Sequence, residues 1–171
     1  MASIARSLRA VAPLSRALAP RAAPLARVAF RPFSTTNFNL ARRYTKEHEW
    51  IDLSADKKSG YIGISEYAAE QLGDVVYVEL PESRDWVEKG DAVGAVESVK
   101  SASDINAPIR LRVTHVNESL EEKPSTINKV PEDDSAGGGW IAKVEIDEAG
   151  AKEFEQLMDS EAYKAFSGSS E

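Results

Sequence analysis

Apolar and polar positions alternate through much of the chain beyond residue 46. In Trp140-Ile141-Ala142-Lys143-Val144-Glu145-Ile146 the even positions are all apolar, and Lys143 and Glu145 stand between them. That period predicts a strand with one buried face. Asp74-Val75-Val76-Tyr77-Val78-Glu79-Leu80 is rich in β-branched and aromatic residues and predicts another, which Pro81 ends. Extended segments are also predicted over 47–53, 61–64 and 109–116, and the turn cluster 54–60 parts the first two. Helical signals are few. Ser65 can cap a short helix, with Glu66 in its first turn and Gly73 just past its end. Asp147 can cap a C-terminal helix carrying Phe154, Leu157 and Met158 at i, i+3 and i+4. Residues 162–166 predict a last helical turn and 167–171 a frayed end. Residues 85–91, 121–128 and 131–139 read as turns and loops.

Many short strands with helices only near the ends predict a mostly-β fold, a sandwich or flattened barrel with short flanking helices. Trp50, Trp86 and Trp140 are assigned to its packing. One feature of the pattern bears on chemistry. The apolar run Ala92-Val93-Gly94-Ala95-Val96 meets the polar break Glu97-Ser98-Val99-Lys100-Ser101-Ala102-Ser103-Asp104, followed by the turn-prone Asn106-Ala107-Pro108. A run, a short break and a second extended run predict a β-hairpin with Lys100 at or beside its tip. A lysine displayed there has its amine free to form an amide.

Charge divides the chain. Residues 1–43 hold eight Arg, no Lys and no acid, and the first carboxylate is Glu47. Ile4, Leu8, Val11, Leu14 and Leu18 share one side of a helical wheel, with Arg6, Arg9 and Arg16 opposite, although Pro13 interrupts it. A cationic, acid-free, Arg- and Ala-rich start has the composition of an organelle transit peptide, and its Arg density over Ser favours the mitochondrion over the chloroplast. Arg31-Pro32-Phe33-Ser34-Thr35-Thr36 resembles a two-step mitochondrial processing site that would leave Ala41 first. The expected division is therefore 1–40 as transit peptide and 41–171 as one domain. Without residues 1–40, 15 basic residues face 28 acidic ones, a net charge of −13. Such a domain is a poor ligand for nucleic acid or an anionic membrane and suits basic protein surfaces. The chain has no Cys, which excludes disulfides, zinc fingers and thiol catalysis. No apolar run approaches the ~20 residues a membrane span needs. His48 and His115 lack metal-ligand spacing. Gly137-Gly138-Gly139 lacks the Lys-Ser/Thr of a phosphate loop.

Six blocks in order carry a resemblance. They are Tyr44-Thr45-Lys46-Glu47-His48-Glu49-Trp50; Gly63-Ile64-Ser65-Glu66-Tyr67-Ala68; Leu72-Gly73-Asp74-Val75-Val76-Tyr77-Val78-Glu79-Leu80-Pro81; the Glu97–Asp104 break; Val116-Asn117 with Ile127-Asn128; and Gly139-Trp140. Together they resemble the glycine cleavage H-protein family over most of residues 44–166. The resemblance implies a lipoyl-domain sandwich of two quasi-symmetric halves, with lipoic acid in amide linkage on Lys100. It implies a carrier and not an enzyme: a shuttle for an aminomethyl group from the pyridoxal-phosphate glycine decarboxylase to the aminomethyltransferase, then to dihydrolipoyl dehydrogenase, in the mitochondrial matrix. It places Glu49 in the cleft that receives the aminomethyl arm. It assigns Glu97, Ser98 and Asp104 to recognition of the hairpin by a lipoylating enzyme.

The departures are Arg110-Leu111 where the family usually has Ser-Gly, Gln71 where some members have His, and a small insertion at 135–138. A lipoyl donor for 2-oxo acid dehydrogenases is the alternative reading. An acyltransferase lipoyl or biotin domain, and an unmodified β module that only binds partners, are weaker ones.

Overall fold

The computed structural model describes residues 41–82 and 85–169. The transit-peptide reading of residues 1–40 lies outside them. The chain runs β1 (Ala41–Tyr44), β2 (Glu49–Leu53), β3 (Ser59–Ile64), α1 (Glu66–Leu72), β4 (Val75–Glu79), β5 (Trp86–Val87), β6 (Ala92–Ser98), β7 (Ala102–Asn106) and β8 (Leu111–Val116). Then follow α2 (Ser119–Glu122), α3 (Thr126–Lys129), β9 (Ala142–Glu145), α4 (Glu148–Phe154) and α5 (Ser160–Ser167).

Two antiparallel sheets result. The larger has the order β1-β2-β3-β9-β8-β5, the smaller β4-β6-β7. Ile51, Ile62, Leu111 and Val144 of the larger sheet share one buried cluster with Val78, Val96 and Ile105 of the smaller. The mostly-β sandwich read from the pattern is the fold, and its C-terminal helix is present. Each fully buried aliphatic side chain contributes about 1.5–3 kcal/mol.

The caps follow the sequence. Ser65 Oγ accepts from the Ala68 N–H, and Gly73, at φ +75°, donates to the Ala69 carbonyl at 3.2 Å. Asp147 accepts from the Gly150 N–H and ends the approach to α4.

Four local expectations are corrected. No strand was expected over residues 41–44, yet β1 pairs with β2 from Ala41↔Leu53 to Tyr44↔Trp50. Its arginines are taken up by the fold: Arg42 pairs with Asp52 and lies 4.3 Å over the Trp50 ring, and Arg43 donates to the Leu157 carbonyl at 3.1 Å. The turn at 85–91 contains β5, which pairs with β8. The loop at 121–128 contains half of α2 and most of α3, because Leu120 and Ile127 are fully buried and pull single helical turns inward. Phe154, Leu157 and Met158 are not on one helix: α4 ends at Phe154, and Met158 bonds back to Tyr44 in both directions.

The departure at 110–111 fits without strain. Leu111 is fully buried in β8 opposite Val87. Arg110 pairs with Glu88 and with Asp147 (2.8 Å) and lies 5.3 Å from the Trp86 ring. Trp50 is fully buried, whereas Trp86 and Trp140 are half-buried and less central than expected.

Candidate functional site

The hairpin is formed by β6 and β7, with Glu97↔Ala102, Val96↔Ser103 and Ala95↔Asp104 in register. Lys100 lies in the connection 99–101 and is exposed. Its amine joins no ion pair among the described residues. The tip is ordered by Ser98. The Ser98 hydroxyl accepts from the backbone N–H of Lys100 (3.1 Å) and of Ser101 (3.0 Å) and donates to the Ser101 carbonyl (3.0 Å). The Ser98 N–H also donates to that carbonyl at 2.7 Å. The Val99 N–H reaches the Asp74 carbonyl at 3.1 Å and ties the tip to the segment after α1. Gly73 lies under the lysine stem, where an added Cβ would come 2.8 Å from Lys100 Cε. The lysine is thus displayed on a tip whose backbone is held by side-chain and long-range bonds.

Beside the hairpin is a cleft of about 360 Å³. Ser101–Asp104 of the hairpin form one side, Tyr67, Ala68 and Gln71 of α1 another, and Glu47–Glu49 the third. Glu49 is 2% exposed. Its Oε1 accepts from the Asn106 backbone N–H at 3.0 Å and from Asn106 Nδ2 at 3.1 Å, and its Oε2 accepts from the Thr45 hydroxyl. These partners are all neutral groups. A buried carboxylate bonded only to neutral donors attracts a cation brought to it. Of the residues singled out in the sequence, Lys100, Glu97, Ser98 and Asp104 lie on the one hairpin. Glu97 is exposed opposite Tyr77, Asp104 lines the cleft, and Glu49 faces the cleft from β2.

A family model described as "Glycine cleavage H-protein" matches residues 42–169. This chain belongs to the glycine cleavage H-protein family. The glycine cleavage system H protein of Thermotoga maritima is 47% identical over 125 residues, 73% of this chain and 94% of that one. The putative mitochondrial H protein of Schizosaccharomyces pombe is 42% identical over 134 residues, 78% of this chain and 75% of that one. The crystal structure of the H protein from Mycobacterium marinum superposes with a TM-score of 0.64 at 34% identity, covering 75% of this chain and 97% of that chain. The H-protein family supplies the lipoyl-carrying shuttle of the glycine cleavage system, and its members carry without turnover of their own. The alternative of a donor for 2-oxo acid dehydrogenases is not favoured.

Several residues of this site were missed in the sequence. Of the partners of Glu49, Thr45 stood there only within a block of the resemblance, and Asn106 read as turn-prone. His48 had been weighed only as a metal ligand. It has a left-handed backbone, φ +75°, which costs a non-glycine residue about 1–2 kcal/mol. Its ring lies 4.7 Å from that of Tyr67, and its Nδ1 is 2.7 Å from the Tyr163 hydroxyl of α5. Burial holds this ring below the ordinary histidine value of 6.5, against the opposing pull of Glu49 and Glu47. No local sequence signal marks Tyr163, which sits 115 residues from His48.

Proposed function

We propose that Lys100 carries lipoic acid as N6-lipoyllysine and that residues 41–171 are the handle and shelter of that arm. When bound, the group supplies a dithiolane whose sulfurs do the chemistry; this chain has no cysteine of its own. Lys100 supplies a primary amine at an exposed tip, and Ser98 fixes the backbone on which an acylating enzyme would have to find it. Glu97 and Asp104 flank that amine with negative charge and are the features a lipoylating enzyme would read. Glu49 offers its charge inside the cleft to a cationic amine brought there, with Thr45 and Asn106 keeping it in place. Glycine decarboxylase, the aminomethyltransferase and dihydrolipoyl dehydrogenase are the partners.

The support for Lys100 as attachment point is the coincidence of an exposed, unpaired amine with a tip that three bonds to one serine hold rigid. Residues 1–40 are proposed as a mitochondrial address leading to the matrix. Relatives from Schizosaccharomyces pombe and Arabidopsis thaliana bear mitochondrial names. No helix among the described residues is long and apolar enough to cross a membrane.

Intact-mass spectrometry of the protein from its native compartment tests the proposal. A lipoyl increment is expected and is lost in Lys100→Ala. An unmodified Lys100 in a preparation that supports glycine-dependent carbon dioxide release would overturn it.

A further inference from the structure

Tyr163 lies on the last helix, away from the hairpin and from the strand that begins with Glu49. Its hydroxyl nonetheless meets two sides of the cleft. It stands 2.7 Å from Ser65 Oγ and 2.7 Å from His48 Nδ1. Ser65 caps α1, whose Tyr67, Ala68 and Gln71 line the cleft. His48 immediately precedes Glu49 and lines the same cleft. A left-handed histidine persists only where its surroundings hold it. The holding groups here are the Ser65 N–H, which donates to the His48 carbonyl at 2.8 Å, the Tyr67 and Phe166 rings, and the Tyr163 hydroxyl.

The bonds form a directed chain. The Ala68 N–H donates to Ser65 Oγ at 3.1 Å. In the order that uses every proton, Ser65 gives its own to Tyr163 and Tyr163 gives its own to His48. That order requires a bare Nδ1, hence a neutral ring with its proton on Nε2. The charged and titratable groups around the ring are Glu47 and Glu49 of its own turn, Tyr67 of α1 and Tyr163 of α5. A ring held neutral beside Glu49 also leaves that carboxylate free for an incoming cation.

We propose that Tyr163 is a positioning residue for Glu49, acting through His48, so that the C-terminal helix sets the geometry of the cleft that serves the carrier arm. This rests on the carrier reading of the cleft. The contact itself can be tested on the protein without any cofactor.

The test compares the full chain with Tyr163→Phe, each with isotope-labelled histidine for imidazole NMR and amide hydrogen exchange. Phe keeps the ring that stacks on Tyr44 at 4.3 Å and removes only the hydroxyl. In the parent, His48 is expected as the Nε2–H tautomer above pH 6.5. The Asn106 amide, which donates to Glu49, is expected to exchange slowly. In Tyr163→Phe both tautomers should populate, and Asn106 exchange should rise about tenfold. Tautomer populations and Asn106 exchange that do not change overturn the proposal.

Should the Phe variant lose α5 altogether, His48→Asn serves instead, because Asn tolerates the left-handed backbone. Asn106 exchange is again expected to rise, and full protection again overturns the proposal. The intact mass of natively isolated protein reads the carrier assignment separately. No lipoyl increment at Lys100 removes the purpose of the positioning even where the exchange coupling is seen.

Discussion

Glu49 and Asn106 are joined twice, by the backbone N–H at 3.0 Å and by Nδ2 at 3.1 Å to the same carboxylate oxygen. Glu49 opens β2 in the large sheet and Asn106 ends β7 in the small one. The pair therefore fastens the lysine hairpin to the opposite side of the cleft. Asn106→Ala removes one of the three donors to a buried carboxylate and should cost about 1–3 kcal/mol. Urea unfolding at neutral pH measures it, and a loss under half a kcal/mol would mean that water replaces the side chain at no penalty.

Ser98→Ala deletes the hydroxyl that makes three bonds at the tip. The net worth of such bonds is about 1–2 kcal/mol, or roughly a tenfold fall in the ordered tip. The initial rate of lipoylation should fall by a similar factor, with thermal stability little changed because the tip is exposed. An unaltered rate would remove Ser98 from the recognition role.

The pH response follows from His48. Its ring titrates below 6.5 in the fold because burial disfavours the cation. The unfolded chain then binds more protons between the two values. Stability is fully present above 6.5 and declines as pH falls through 6.5 toward the folded value. His48→Asn should remove that part of the decline. Thermal denaturation of both proteins across this window decides it, and parallel curves would argue against a neutral buried ring.

Leu111→Ala empties a fully buried position between β5 and β9. A cost of about 2–5 kcal/mol is expected from lost burial and the cavity left behind. Guanidinium unfolding checks it. A cost below 1 kcal/mol would show that the leucine is a tolerated passenger and not part of the core.

Period and caps made much of this fold legible. β4, β9 and α1 sit close to where alternation, Ser65 and Gly73 placed them, because one buried face and one capping serine are local properties. Lys100 was legible for the same reason: a polar break between extended runs has few geometries. β1 was hidden because Arg42 and Arg43 continue the charge of the preceding forty residues, and only the fold gives Arg42 its partners Asp52 and Glu132 and gives Arg43 the Leu157 carbonyl. α2 and α3 were hidden because one buried residue apiece, Leu120 and Ile127, does not make a period. The cleft shows the same limit. Glu49 was found through resemblance, but Asn106 reaches it across 57 residues of chain and Tyr163 reaches the neighbouring His48 across 115, a proximity that only the fold creates.

Arg42 has a consequence for where the chain can be truncated. Its guanidinium is the cationic partner of Asp52, which is 3% exposed and has one carboxylate oxygen bonded to nothing in the fold. Burial already pushes the Asp52 carboxyl above its ordinary range, with Arg42 pulling the other way. Removal of Arg42 would strand an anion in the interior, a penalty of about 3–5 kcal/mol. Arg42 thereby sets the N-terminal limit of the stable domain: a copy that starts after it should unfold at lower denaturant than one that starts at Ala41.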